Sequence, residues 1–491
     1  MKTQSLLSAM FVCLAFASMA GAAEPVSAPE PYGALPSERQ LEWHNKEFYG
    51  FLHFTTNTFT DKEWGYGDES PEVFNPTDFD ADQIVSVAKA AGMKGLILTC
   101  KHHDGFCLWP SKYTEHSVKH SPWKDGKGDV VREISDACQR HGIAFGVYLS
   151  PWDRNYAGYG KPEYIEYYRH QMKELLTNYG EVFEVWLDGA NGGDGYYGGT
   201  RETRRIDRST YYDWPNTIEL VRQLQPKAMI FSDAGPDVRW IGNEQGFANE
   251  TCWATYTPHV NGDEKIAGPG TTIYQEGTTG HADGEFWMPG EADVSIRPGW
   301  FYHASQDDKV RSADNLMDLY FKSVGRGSSF LLNLPPDRRG LIHENDQASL
   351  SKFREQLDAL FANNLATKAE ITASNTRGDS EQFATKHLVD GDRETYWATD
   401  DDSTEASLIL EFSEPATFHI VDLREYLPLG QRVRSWKLEQ WQDGQWQEFA
   451  AGKSIGNRRL WRGDEITTSK VRITVDGPVC PALSEVGLYQ L

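Results

Sequence analysis

Side chains able to do chemistry recur in this sequence directly after short apolar runs. His53 closes Phe51-Leu52-His53-Phe54, and Lys101-His102-His103-Asp104 follows the run that begins Gly95-Leu96-Ile97-Leu98. Tyr148 to Asp153 follows Ala144-Phe145-Gly146-Val147, Asp188 follows Val182 to Leu187, and Asp233 follows Met229-Ile230-Phe231. Each position has a plain structural account. Asp188-Gly189 suits a turn, and His102-His103 suits a satisfied polar cluster. Zinc would need a third ligand at a suitable geometry. No CxxC, HExxH, P-loop or GxSxG pattern occurs, which weakens zinc, nucleotide and serine-hydrolase chemistry together. As a set, the carboxylates, imidazoles and aromatics fit hydrolysis of a glycosidic bond. That reaction uses two carboxyl groups, one ionised and one with a raised pKa that protonates the leaving oxygen.

Residues at the ends of successive runs converge only if the runs are parallel strands. Helical patterns over Asp82–Ala91, Val130–His141, Pro162–Tyr179 and Asn216–Leu224 alternate with them, and Phe330-Leu331-Leu332 supplies a further strand. This alternation predicts an α/β fold, a TIM-like (β/α)8 barrel over residues 35–361 with its site at the C-terminal mouth. A doubly wound open sheet is the alternative. The Gly-rich stretch from Gly242 to Gly299 has few strand signals and leaves the sixth and seventh barrel units unplaced. Beyond it, Ile371–Ser374, Ser407–Phe412, His419–Leu423, Trp436–Trp441 and Val471–Val475 are β-rich at hairpin spacing without intervening helices. They predict an all-β sandwich over residues 366–491.

Composition narrows the partners. The 491 residues carry 48 basic and 72 acidic side chains, a net charge of −24. Such acidity argues against nucleic acid or an anionic membrane surface, where clustered Lys and Arg are required. With 39% hydrophobic and 12% aromatic residues the chain can bury a sizeable core, and 16 Trp hint at flat ligands such as sugar rings. Residues 1–22 have one Lys, an apolar run from Leu6 to Phe16 and then small residues. They read as a signal peptide cleaved after Ala20-Gly21-Ala22, so export to the periplasm or cell exterior is expected, without membrane insertion. Beyond Cys13, the cysteines Cys100, Cys107, Cys138, Cys252 and Cys480 are too few and too odd in number for a disulfide framework.

Several multi-residue motifs carry a family resemblance. They are His53-Phe54 with Glu63-Trp64-Gly65, Lys101-His102-His103-Asp104-Gly105-Phe106 and Val185-Trp186-Leu187-Asp188-Gly189-Ala190. Gly235-Pro236-Asp237-Val238-Arg239-Trp240-Ile241-Gly242-Asn243-Glu244 and Ser295-Ile296-Arg297-Pro298-Gly299-Trp300-Phe301-Tyr302 follow in order. Across nearly all of residues 40–360 the chain resembles family 29 α-L-fucosidases, and within them the subfamily acting on α-1,3/1,4-linked fucose. The resemblance implies retention through a covalent glycosyl-enzyme, with Asp188 as nucleophile and Glu244 as general acid/base. Glu291 is the alternative acid, and the carboxylate that is not the acid would bind substrate hydroxyls. It implies that His53, His102 and His103 hydrogen-bond fucose hydroxyls. Glu63 and Trp64 would hold the hydroxyl edge and ring, and Tyr148 would sit near the anomeric carbon. Trp186 would stack below the sugar or serve as barrel core. Trp300 would pack on the C5 methyl group, a contact worth only about 1–3 kcal/mol of discrimination. Arg239 would bind a polar substrate group or orient a carboxylate. No cofactor or catalytic metal is implied, and the partners are fucosylated glycans. An α-L-galactosidase, or a silent fucose-binding protein on the same barrel, are the other readings. The run Arg201, Arg204, Arg205, Arg208 is expected to be a solvated helix face rather than an anion loop.

The second domain resembles the discoidin, or F5/8 type C, sandwich, carried by Leu388-Val389-Asp390-Gly391-Asp392 and Glu394-Thr395-Tyr396-Trp397-Ala398-Thr399. Such a domain binds glycans, holds a structural calcium ion or buttresses the barrel. Asp390 and Asp392 are the candidates for a calcium loop.

Overall fold

Eight short parallel strands close a barrel: β1 (Phe48–Leu52), β2 (Gly95–Lys101), β3 (Ala144–Leu149), β4 (Glu184–Trp186), β5 (Met229–Ser232), β6 (Val238–Trp240), β7 (Gly290–Ser295) and β8 (Ser329–Asn333). They neighbour one another in sequence order, and β8 pairs with β1. The architecture comes from a computed structural model that describes residues 26–260 and 265–490; the leader expected at 1–22 lies outside the described residues. Strands buried on both faces need apolar side chains on both. Tyr49, Phe51, Ile97, Tyr148, Trp186, Phe231 and Leu331 fill the barrel interior. Their alternates, among them Phe48, Leu52, Leu96, Leu98, Val147 and Ile230, pack outward under the helices.

The covering helices are α1 (Glu38–His44), α2 (Ala81–Ala90), α3 (Val130–His141), α4 (Glu163–Asn178), α5 (Trp214–Leu224), α6 (Ala313–Lys322) and α7 (Glu344–Phe361). Asp80 and Asp129 cap α2 and α3 by accepting the N–H of Gln83 and Arg132. Two barrel units depart from the plan. Between β5 and β6 only residues 233–237 return the chain, with no helix. Between β6 and β7 lie a two-stranded ribbon, Thr255–Tyr256 with Phe286–Trp287, and one helical turn, Tyr274–Gly277. These irregular units are the ones without a strong periodic signal. The basic run is a correction: Glu202–Arg204 forms a ribbon with Gly193–Gly195, Arg201 pairs with Asp68 and Arg204 with Glu202, so it is no helix face.

After α7 the strands β9 (Glu370–Ala373), β10 (Trp397–Ala398), β11 (Glu405–Glu425), β12 (Ser435–Gln442), β13 (Gln445–Gly452), β14 (Arg459–Asp476) and β15 (Ala482–Tyr489) make one antiparallel sheet. Register shifts along β11 bend its 21 residues around a core that includes Trp397, Leu408, Phe418, Ile473 and Val486. This sheet is bound to the barrel floor. Glu47, before β1, receives Arg393, Arg424 and Arg458, and Asn457 donates to the carbonyl of His44. Asp390 and Asp392, the candidates for a calcium loop, are hydrogen-bonded within their own segment. Asp390 accepts from the Asp392 N–H and the Thr395 hydroxyl and pairs with His387, while Asp392 accepts from the Glu394 N–H. Their oxygens close a turn. Cys100, Cys107, Cys138, Cys252 and Cys480 are all buried free thiols. Among the described residues no helix is long and apolar enough to cross a membrane.

Candidate active site

The C-terminal ends of the strands surround a cavity of about 310 Å³. A larger cavity of about 410 Å³ lies at the opposite end of the barrel, between Arg39, Lys46, Arg132, Phe183 and Lys227, and has no comparable assembly of carboxyl and imidazole groups. Register builds the floor of the mouth cavity: Tyr148 pairs with Trp186, and Trp186 with Phe231, so three aromatic rings share one layer. Trp186 stacks on Phe231 at 4.0 Å.

Asp188 follows β4 on the wall. Its Oδ2 accepts the Tyr148 hydroxyl at 2.8 Å and its Oδ1 accepts the Ala190 N–H at 2.6 Å. His103 Nε2 stands 3.9 Å from the same carboxylate, with its Nδ1 on the Ser150 hydroxyl at 2.7 Å. His53, at the end of β1, meets Asn333 at 2.8 Å, and Asn333 also donates to Ser295 and to the Trp300 carbonyl. Burial pushes His53 down to about 3. It pushes His103 down to about 4, with Asp188 opposing the shift, and holds His102 well below its ordinary range beside the other two imidazoles. Three neutral imidazoles, each donor and acceptor, suit a ligand rich in hydroxyls. His102 Nδ1 is buried without a hydrogen-bond partner.

Glu244 stands at the mouth, where Trp300 Nε1 donates to it at 3.3 Å. The walls around it raise its carboxyl above the ordinary range although the side chain stays open to the mouth; the Trp300 N–H opposes this, and Asp188 and Glu63 add to it. Glu63 accepts the N–H of Trp300 at 2.8 Å and of Phe301 at 3.3 Å, and pairs with His303 at 2.6 Å. Trp64 is 54% exposed, edge-on to His103 and Trp152, and forms an open platform at the rim.

The structure therefore brings together His53, Glu63, Trp64, His102, His103, Tyr148, Trp186, Asp188, Glu244 and Trp300. Two expected residues fall elsewhere. Arg239 lies on β6, between the inward Val238 and Trp240, so strand alternation turns it out of the barrel. Its buried guanidinium donates to the carbonyls of Gly277, Met288 and Trp253. Glu291 points inward but one layer below the floor, where it is fully buried and accepts from Tyr49 and from Trp186 Nε1 at 2.7 Å. It cannot reach a sugar. The lining residues absent from the sequence-based site set are Phe51, Gly189, Ala190, Phe231, Asp233, Trp240, Tyr274 and Asp293. Asp233 carried a signal as a strand end, and Asp293 only its place two residues after Glu291. Tyr274, on a single helical turn, carried none.

Among the described residues one group has the composition of a metal site. His259, Glu276 and His281 place donor atoms within 4.8 Å of one another, outside the cavity. His281 Nδ1 accepts the Thr257 N–H at 3.2 Å, so its Nε2 carries the proton and faces Glu276 at 3.5 Å. That arrangement is an imidazole–carboxylate contact rather than a lone pair offered to a cation.

A closed (β/α)8 barrel with carboxyl groups, neutral imidazoles and aromatic platforms at its C-terminal mouth defines a glycoside hydrolase. The α-L-fucosidase family model matches residues 27–359, and the F5/8 type C domain model matches residues 370–483. The chain is 46% identical to alpha-L-fucosidase 1 of Arabidopsis thaliana, over 94% of this chain and 88% of that one. It is 43% identical to the crystal structure of a glycoside hydrolase 29 family member from an unknown rumen bacterium, with a TM-score of 0.82 over 94% of this chain and 78% of that one. A Ruminococcus gnavus GH29 fucosidase in complex with fucose is 32% identical, with a TM-score of 0.84 over 95% and 97% of the two chains. The chain belongs to the α-L-fucosidase family, glycoside hydrolase family 29, and carries a C-terminal F5/8 type C domain.

Proposed function

We propose that this protein is an exported, retaining exo-α-L-fucosidase that removes terminal α-1,3/1,4-linked L-fucose from oligosaccharides or glycoconjugates. The observation that carries the reading is the pair of carboxyl groups in unlike surroundings on one small cavity. Asp188, held by Tyr148 and the Ala190 N–H, is placed to attack the anomeric carbon. Glu244, raised by its surroundings, is arranged to hold a proton for the leaving oxygen. In the first step the Asp188–carbon bond forms as the glycosidic bond breaks, and the Glu244 proton passes to the departing sugar. Glu244 then takes a proton from water, which attacks the same carbon and frees Asp188. His53, His102 and His103 bind hydroxyls, Trp186 lies under the ring, and Trp300 and Trp64 form the walls. The rim opens directly to solvent at Trp64, which supports cleavage of chain-terminal residues.

The test is a panel of fucosylated oligosaccharides differing only in linkage and branching, with aryl α-L-fucoside and aryl α-L-galactoside alongside. Release of fucose from α-1,3/1,4-linked branches with the anomeric configuration retained, followed by proton NMR, is the expected result. Faster hydrolysis of the galactoside, or inversion, overturns it.

A further inference from the structure

Strand β7 carries two inward acids that the reaction above does not use. Glu291 lies below the cavity floor; Asp293, two residues on, lines the cavity itself and is 2% exposed. Asp293 Oδ1 accepts the indole N–H of Trp240 at 2.8 Å, and Trp240 meets Tyr274 edge-on at 5.2 Å. Three indoles of the cavity are thus each held by a carboxyl group: Trp186 in the floor by Glu291, and Trp240 and Trp300 in the walls by Asp293 and Glu244.

Charge decides the state of Asp293. Glu63, Asp188, Asp233, Glu244 and Asp293 all line the cavity, and among the described residues no Lys or Arg lines it. Arg239, adjacent to Trp240, is turned away and spent on carbonyls. The three histidines are neutral there. With no Lys or Arg in that lining, each carboxylate that ionises makes the next harder to ionise. Asp233 accepts the Gly270 N–H and the Thr272 hydroxyl, which oppose the rise that burial imposes on it, and Glu63 meets two backbone N–H groups and His303. Asp188 has a backbone N–H and a phenol, and a side chain still 24% exposed. Asp293 has one indole and faces Glu244 and Glu291; burial and these two acids hold it well above the ordinary carboxylate range.

We infer that Asp293 is a further substrate-binding residue that works un-ionised, one oxygen fixing the Trp240 wall and its carboxylic O–H donating to a hydroxyl of the bound sugar. A buried acid kept neutral in this way is a hydrogen-bond donor that a carboxylate cannot be. The identity of the ligand rests on the fucosidase reading; the protonation state does not.

The test uses the full chain with Asp293→Asn and Asp293→Ala. Asparagine keeps an acceptor for Trp240 and an N–H in place of the O–H, without adding charge. It is expected to keep kcat/KM on an aryl α-L-fucoside within about fivefold of wild type, with the pH profile unmoved. Alanine is expected to lose about 100-fold, mainly through KM, while circular dichroism remains that of wild type. Asparagine as damaging as alanine, or alanine as active as wild type, overturns the inference. Isotope-edited infrared spectra of the resting protein at neutral pH provide a readout without turnover. A protonated-carboxyl band lost in Asp293→Asn is expected, and its absence from wild type overturns the un-ionised state. A wild-type protein that cleaves no fucoside would sink the fucosidase reading and leave this measurement to decide Asp293.

Discussion

Asp188 and Glu244 differ in what surrounds them, and their variants should fail differently. Asp188→Asn removes the attacking oxygen and should lower kcat by at least about 1,000-fold with the fold intact. Azide should restore turnover to Asp188→Gly, giving a fucosyl azide; a fully active variant at this position sinks the assignment. Glu244→Ala should spare substrates with good leaving groups relative to natural oligosaccharides, since only poor leaving groups need the proton. The pH profile follows from signs. Glu244 acts while protonated, so kcat/KM falls as pH rises through its raised pKa. The Trp300 N–H stabilises the ionised form and opposes that rise. Trp300→Phe should therefore move the alkaline limb to higher pH, measured as log kcat/KM against pH; a shift to lower pH contradicts the role given to the indole.

At the scale of elements, the wall opposite Trp64 depends on a loop without regular structure. Asp233, at the end of β5, accepts the Gly270 N–H at 2.6 Å and the Thr272 hydroxyl at 2.9 Å, and so fixes the segment that leads to Tyr274. Asp233→Ala leaves these donors unpaired. It should raise KM about tenfold with a smaller change in kcat and little loss of Tm, since the strands are untouched. Equal KM values for wild type and variant would show that the loop is held by other contacts. The first five strands were legible because apolar runs alternate with capped amphipathic helices at regular spacing. Strands β6 and β7 were not, because β6 has three residues and no helix before it, and the connection to β7 runs from 241 to 289. Arg239 was misplaced for a related reason: on so short a strand the sequence does not say which alternate faces inward.

Across the whole molecule, the β-sheet domain is anchored by Glu47 and its three arginines. Burial opposes ionisation of Glu47, but Arg424, Arg458 and Arg393 outweigh it and hold its carboxyl well below the ordinary range. A depressed folded pKa contributes stability above the unfolded value of about 4.3, lost as pH falls through the folded value. Tm should accordingly drop as pH falls below about 5, part of the drop coming from this junction. Glu47→Gln should lower stability by about 3–5 kcal/mol at neutral pH, because it strands buried guanidinium groups, and should flatten that acid limb. Differential scanning calorimetry of both proteins across this range is the measurement. An unchanged Tm in the variant would mean that the sheet is held mainly by Asn457 on the His44 carbonyl and by Ser454, whose hydroxyl accepts the Cys252 N–H.

The order and chemistry of the strand ends were written in the sequence by itself, since periodicity and short motifs are local properties of the chain. They were enough for the class of fold, the family resemblance, and the carboxyl, imidazole and indole groups gathered at the mouth. Only the tertiary structure decided which inward acid reaches the cavity. Glu291 and Asp293 share a strand face, and one layer of barrel depth separates a support beneath the floor from a group on the wall. It also decided that Arg239 faces away from the pocket acids. Depth and facing depend on where the barrel closes, and closure is set by contacts between residues far apart in the chain.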